Sequence, residues 1–355
     1  MGLPTITVEF KKLASTAPAR SARGVMAVIL QDATEATWTH QSYVTADEVK
    51  KAEFTAENYA ALLRAFAAGP TKVIAVRVGA EGSITDATKI LDNLAYNWVC
   101  AVPDTFQAGL VTYVKGVNTP RRVRKAKALV AGQDTADDMH IVSVANKTVT
   151  LSGASDPTNI GEYLPRLCGV LAACPMDRSV TFQELDDLAA VDVVADVDTA
   201  IDKGKFCLIQ DDDKIRIARG VNTLQTISGD LTEDMKKIAI VEAMDLIQED
   251  IIRTFKTYYL GKVKNSADNQ ALLVGDIFTY LNELAKEDVV DRNQAITVAI
   301  DVAAMRNAWR ADGVHVEDLS DAQVKKKTYK AAVFVVASAH ILDAMEDMTI
   351  AITMA

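Results

Sequence analysis

The residue types that most often do chemistry are scattered in this sequence. Its four cysteines, Cys100, Cys168, Cys174 and Cys207, form no CxxC pair, and its four histidines, His40, His140, His315 and His340, stand at no metal-ligand spacing from them. They read as buried thiols and as packed or surface imidazoles. No GxSxG nucleophile elbow, GxxxxGKS/T phosphate loop, GxGxxG fingerprint or HExxH pair occurs. The acidic triple Asp211, Asp212 and Asp213 has the oxygen chemistry for a cation, but an acidic hairpin turn is ordinarily just solvated. No catalytic residue, metal ligand or cofactor is therefore assigned. The remaining chemistry is charge. RRVRKAK (121–127) packs five cations into seven residues and Lys325 to Lys327 form a second cluster, against an acidic run over 184–202 and the Asp triple. Two readings stay open: solvated faces, or opposite patches that meet between neighbouring copies and set their register. A net charge of −10 argues against nucleic acid as a general partner.

The second chemical feature is backbone hydrogen bonding at the two ends of the chain. Leu3 is apolar, and from Thr5 onward Ile6, Val8 and Phe10 alternate with Thr5, Thr7, Glu9 and Lys11; at the other end Met348, Ile350, Ile352 and Met354 alternate with Thr349, Ala351 and Thr353. That is strand periodicity. A Ser-, Ala- and Pro-containing tether over 14–22 follows the first strand, and DAMED (343–347) breaks an apolar strand over 333–341 before the last one. Unpaired terminal strands template other chains, so such a protein either hides them or uses them. Ile6, Val8 and Phe10, and Ile350, Ile352 and Met354, are the expected subunit-contacting faces.

Between the ends, 355 residues, half of them apolar, suffice for two or three cores. The longest apolar stretch, 331–339, is too short to span a bilayer, and no signal-like N-terminus is seen, so a cytoplasmic origin without membrane insertion is expected. Strand-like segments at 25–30, 72–78, 98–102, 128–131, 140–144 and 147–151 alternate with helix-like ones at 56–68, 84–95, 104–117 and 161–173. That is an α/β layered pattern. A hairpin is expected from 206–210 and 214–218 around the Asp triple. After a long helix come a helix over 271–284, a strand over 295–302 and a short helix over 303–311, an α+β arrangement.

The long helix is the strongest periodic signal. Ile238, Val241, Met244, Ile247, Ile251, Phe255 and Tyr258 fall on one stripe, with Ile240, Leu246 and Ile252 as a second row. Asp230 and Glu233 suit a capping box and Gly261 a stop, so the expected span is 231–260, about 40 Å long.

The strand before this helix, the ARGVNTLQT link, the MDLIQEDIIRTF core and the following YYLGKVKNS together resemble the tail sheath proteins of contractile phage tails and R-type phage-tail-like bacteriocins. The resemblance reaches the N-terminal GLPTITVEFKKLASTAPARSARGVMAVIL and the C-terminal VFVVASAHILDAMEDMTIAITM; the middle matches more loosely. It implies an α/β core described in the family as subtilisin-like, over 23–230, and a C-terminal α+β domain, 231–344, facing an inner tail tube. It further implies extended β-strand arms, 1–22 and 345–355, that pair with adjacent subunits. The implied function is structural, with no enzyme activity: a helical homo-polymer of stacked rings, joined to tube, baseplate and terminator proteins, that contracts to drive the tube through a cell envelope. The chain is short for the family and shows no large outward insertion. The competing readings are a cytoplasmic α/β enzyme whose end strands pair within its own domain or in a closed dimer, and an exported surface polymer, for which an export signal would be expected.

Overall fold

The computed structural model describes residues 23–35, 37–119 and 122–353. Its described residues fall into two compact units: a core unit of 23–249 with 341–353, and a second unit of 250–340.

The core unit opens with β1 (Val25–Gln31), β2 (His40–Tyr43), α1 (Ala56–Phe66), β3 (Lys72–Val78), α2 (Ile84–Leu91), β4 (Trp98–Ala101), α3 (Gln107–Val117), β5 (Lys127–Ala131) and β6 (Ile141–Val144). It continues through β7 (Thr148–Leu151), β8 (Thr158–Asn159), α4 (Ile160–Ala173), β9 (Leu188–Val191), α5 (Val197–Asp202), β10 (Lys205–Phe206), β11 (Leu208–Asp211) and β12 (Lys214–Ile217). Seven strands form one sheet in the order β10-β6-β5-β4-β1-β3-β2. All its pairings are parallel except that of the edge strand β2 with β3. The continuous apolar run of β1 follows from burial on both faces. Met26, Val28 and Leu30 pack with residues of α1 and α4, whereas Val25, Ala27 and Ile29 pack with residues of α2 and α3. The expected α/β layering is thus present. Sequence periodicity missed β8 and β9, which complete a small antiparallel sheet with β7.

Helices α1 and α4 approach closely because Gly169 has no side chain: a Cβ there would lie 2.3 Å from the Ala65 carbonyl oxygen. Alanine is the better helix former by about 1 kcal/mol, but overpacking costs about 1–3 kcal/mol and Ala65 contributes rigid backbone. Gly169→Ala is therefore expected to lower the urea midpoint of unfolding despite its favourable propensity.

The hairpin around the Asp triple is β11 with β12, Asp211 opposite Lys214. The long helix is shorter than its periodicity implies: a 3-10 turn spans Glu233–Lys236, α6 spans Ile238–Thr254, and a π turn spans Phe255–Tyr259. The start shifts because tertiary pairing takes the backbone first. Lys237 is extended and bridges Val221; Asn222 N donates to Lys236 O, and Ile238 N to Gly220 O. Asp230 and Glu233 therefore do not cap α6. Beyond the π turn, whose Phe255 and Tyr259 rings stack at 6.2 Å, Gly261 takes φ +72° and ends the run as expected.

The second unit contains α7 (Ala267–Lys286), β13 (Thr297–Ile300), α8 (Val302–Ala311), α9 (Asp321–Lys326) and β14 (Val335–Ser338). Its β13 and β14 form a two-stranded antiparallel sheet, shorter at both strands than their apolar runs.

Candidate assembly interface

The basic run is turned inward. Among its described residues, Arg122 lies over the Tyr96 ring and donates to Arg124 O, and Lys125 donates to Thr119 O. Arg124 Nε sits 2.8 Å from Glu249, and Lys127 Nζ lies 2.8 Å from Asp245 and 3.2 Å from Glu242. Arg23 pairs with Glu242 at 3.1 Å, and His140 Nε2 meets Asp245 at 3.2 Å. Glu242, Asp245 and Glu249 share one face of α6 at helical spacing. The patch read as solvated or subunit-facing is thus an internal clamp holding the first turns of α6 to the sheet. No apolar stripe could have revealed it; the i, i+3, i+7 spacing of the three carboxylates beside the RRVRKAK run was its only signal.

The clamp has a pH window. Burial alone would raise the Asp245 carboxyl, but Lys127 and His140 outweigh it and hold the group far below its ordinary value of 3.8. Burial opposes protonation of His140, yet Asp138 and Asp245 hold its pKa above 6.5. Stabilisation from the lowered carboxyl is present above 3.8 and lost as pH falls through its folded value. Stabilisation from the raised imidazole is complete below 6.5 and lost as pH rises through its folded value. The contribution of this pair is expected to peak between those limits, and His140→Gln should flatten the fall in urea midpoint on the alkaline side.

The other charged runs are also partly satisfied within the chain. Asp211 pairs with Arg216 at 3.1 Å, Glu184 with Lys214 at 2.7 Å, and Asp187 accepts from Tyr163 at 2.8 Å. Lys327 lies over the Trp309 ring, while Lys325 and Lys326 are exposed.

Groups suited to catalysis are likewise occupied. Asp32, at the carboxyl end of β1 where open α/β sheets commonly bind ligands, accepts from Thr34 N, Thr55 N, Asn58 Nδ2 and Arg77 Nη2. Burial would raise this carboxyl, but the Asn58, Thr55 and Thr34 hydrogen bonds hold it well below the usual range. Cys100, Cys168 and Cys207 are buried and Cys174 is half-buried. Burial pushes the thiols of Cys174 and Cys207 up to about 11, away from the nucleophilic thiolate.

Exposed apolar surface concentrates elsewhere. In the second unit Leu260, Val263, Leu272, Phe278 and Val336 are exposed, and in the C-terminal segment Met345, Met348, Ile350 and Ile352 are exposed, Ile352 at 83%. Residues 342–353 carry no strand: their alternation finds no ladder partner among the described residues, and an extended segment needs one. Ile6, Val8, Phe10 and Met354 lie outside the described residues.

The β13–β14 sheet offers the complementary feature. Asp301 N donates to Phe334 O at 2.9 Å, which makes that pair hydrogen-bonded. Alternation then assigns Ala299–Val336 and Thr297–Ser338 to the same class. Val335 and Ala337 therefore aim their backbone N–H and C=O away from β13, and Val298 and Ile300 aim theirs away from β14. Among the described residues neither outer edge has a partner. A two-stranded sheet with two open apolar edges is marginal alone and ready to accept strands.

Comparison with known proteins agrees with this architecture. Residues 230–355 match the phage tail sheath C-terminal domain. The chain is 28% identical over 366 aligned positions to the tail sheath protein of Clostridium phage phiCD119, covering 99% of both. Its fold is similar to that of the sheath tail protein from Desulfitobacterium hafniense, with TM-score 0.70, 15% identity, and 95% of this chain and all of that one covered. It is also similar to the contracted helical sheath of the anti-feeding prophage, with TM-score 0.69, 11% identity and 99% of both chains covered. Residues 230–355 thus match the tail sheath C-terminal domain, the whole chain is similar from end to end to a tail sheath protein, and its fold is that of solved sheath proteins.

Proposed function

We propose that this chain is the repeating subunit of a contractile tail sheath whose copies are joined by strand addition. The observation that carries the joint is the co-occurrence, in one chain, of a β13–β14 sheet with two open edges and an alternating C-terminal segment whose Ile350 and Ile352 are exposed. One acceptor edge per arm matches the two arms, 1–22 with Ile6, Val8 and Phe10, and 345–355 with Ile350, Ile352 and Met354. Donor on one copy and acceptor on the next is a heterologous contact, which repeats into stacked rings or an open helix.

In this reading, the subunit is made in a bacterial cytoplasm and built into a virion tail or tail-like particle. It assembles around an inner tube that residues 231–344 face, between a baseplate and a terminator. The backbone bonds of the arms keep the lattice connected while the bodies exchange side-chain contacts on contraction. The extended lattice is a kinetic trap released from the baseplate, and its contraction pushes the tube through an envelope. Calorimetry is expected to show exothermic contraction without any added energy source.

The direct test is negative-stain electron microscopy of the purified chain mixed with its tube protein, beside a version ending at Asp347. Cylinders from the full chain and none from the shortened one are expected. Equal cylinders from both would remove the C-terminal segment from the joint.

A further inference from the structure

The ARGVNTLQT link and the DAMED segment, far apart in sequence, meet in the core unit. Glu346 is buried there, with 4% of its side chain exposed. Thr181 Oγ1 donates to its Oε1 at 2.6 Å, and Ser179 Oγ lies 3.1 Å from the same oxygen. Its Oε2 faces Lys237 Nζ at 3.4 Å and Arg219 Nε at 3.6 Å. Arg219 Nη2 also binds Asp347 at 2.6 Å, and Lys237 binds Asp343. The receiving surface is built for this. Gly220 N donates to Thr181 Oγ1, and a Cβ at Gly220 would stand 3.2 Å from Ser179 Oγ, crowding the hydroxyls that hold the carboxylate. Lys237 is the residue just before α6, so the same cation joins the segment to the start of that helix.

We propose that Glu346 is a positioning residue that roots the C-terminal arm on the core unit. The arm leaves the body at Met348 from a fixed point made by Ser179, Thr181, Arg219 and Lys237. The chain reaches this point only after traversing the whole of 250–340, yet the last residues cluster with 23–249. Load on the arm is therefore borne by the segments around Ser179 to Thr181 and Arg219 and by the start of α6, and not passed back through β14 along the covalent chain. DAMED, which sequence alone reads as a strand breaker, is the anchor. A charged, partly buried joint suits the purpose. Two hydroxyl contacts on one carboxylate oxygen fix direction as well as position, which apolar contacts do not, while the two cations near the other oxygen balance its charge.

The rooting is tested on the single chain, independently of assembly; only its consequence for the lattice rests on the sheath reading. Spin labels at Met348→Cys and Thr112→Cys, in a Cys174→Ser background, report the distance distribution between arm root and core. The parent is expected to give a narrow distribution, and Glu346→Gln and Arg219→Met each to widen it at least twofold with circular dichroism unchanged. Equal widths in parent and both variants would overturn the proposal. With the tube protein present, Glu346→Gln is expected to shorten the cylinders at least tenfold. A widened distribution with cylinders of parental length would overturn the claim that the root directs the arm. If the parent itself forms no cylinders, the sheath reading fails, and the widths still decide the anchor.

Discussion

Lys127→Met is expected to destabilise the folded chain by about 3–5 kcal/mol, the usual cost of removing one partner from a buried ion cluster. Lys127 is 1% exposed, at the start of β5, with Asp245 and Glu242 on one side and the Trp98 ring 5.8 Å on another. Methionine replaces the stem and keeps the packing, so the loss isolates the charge. Asp245 retains His140 and Glu242 retains Arg23, which places the cost toward the lower end of that range. Urea unfolding followed by circular dichroism measures it. The cost should shrink as the pH is lowered toward 4, because carboxyls no longer facing Lys127 can take up protons. A loss under about 1 kcal/mol at neutral pH would mean that the clamp does not hold α6 to the sheet.

Ala337→Pro is expected to abolish cylinder formation while changing the stability of the single chain by about 1 kcal/mol or less. Ala337 aims its N–H at the open edge of β14, so proline there removes a donor that only an added strand would use. Val336→Pro is the matched control: its N–H faces Ala299, and proline there costs a ladder bond within the chain itself. Chain unfolding and electron microscopy with the tube protein separate the two effects. Assembly of Ala337→Pro into cylinders of parental length would move the joint off the β14 edge, leaving the β13 edge, where Val298→Pro is the equivalent variant.

Much of this protein was legible before any fold was known, because the information was local or periodic. The buried parallel strands announced themselves as apolar runs, as in β1 and β3, since burial on both faces favours apolar residues and admits a polar one such as Arg77 only with a partner. The hairpin at Asp211 to Lys214 and the Gly261 stop followed from turn chemistry and spacing. The wording around ARGVNTLQT and MDLIQEDIIRTF carried the resemblance to tail sheath proteins. Sequence by itself thereby determined the α/β layering and the order of most elements.

Tertiary structure decided where polar side chains point and which backbone takes which partner. RRVRKAK is an exposed-looking charge run until α6 is laid across the sheet and buries three carboxylates against it. The first turn of α6 has good helical periodicity, but Lys237 is spent on pairing with Val221, and a local preference worth tenths of a kcal/mol yields to that contact. Met348 to Thr353 alternate as a strand does yet carry none, because a strand needs a partner edge that alternation within the segment does not supply. Glu346 finds Ser179, Thr181, Arg219 and Lys237 only because the fold returns residue 341 to the core after 250–340, and ion pairs across more than 100 residues leave no periodic trace.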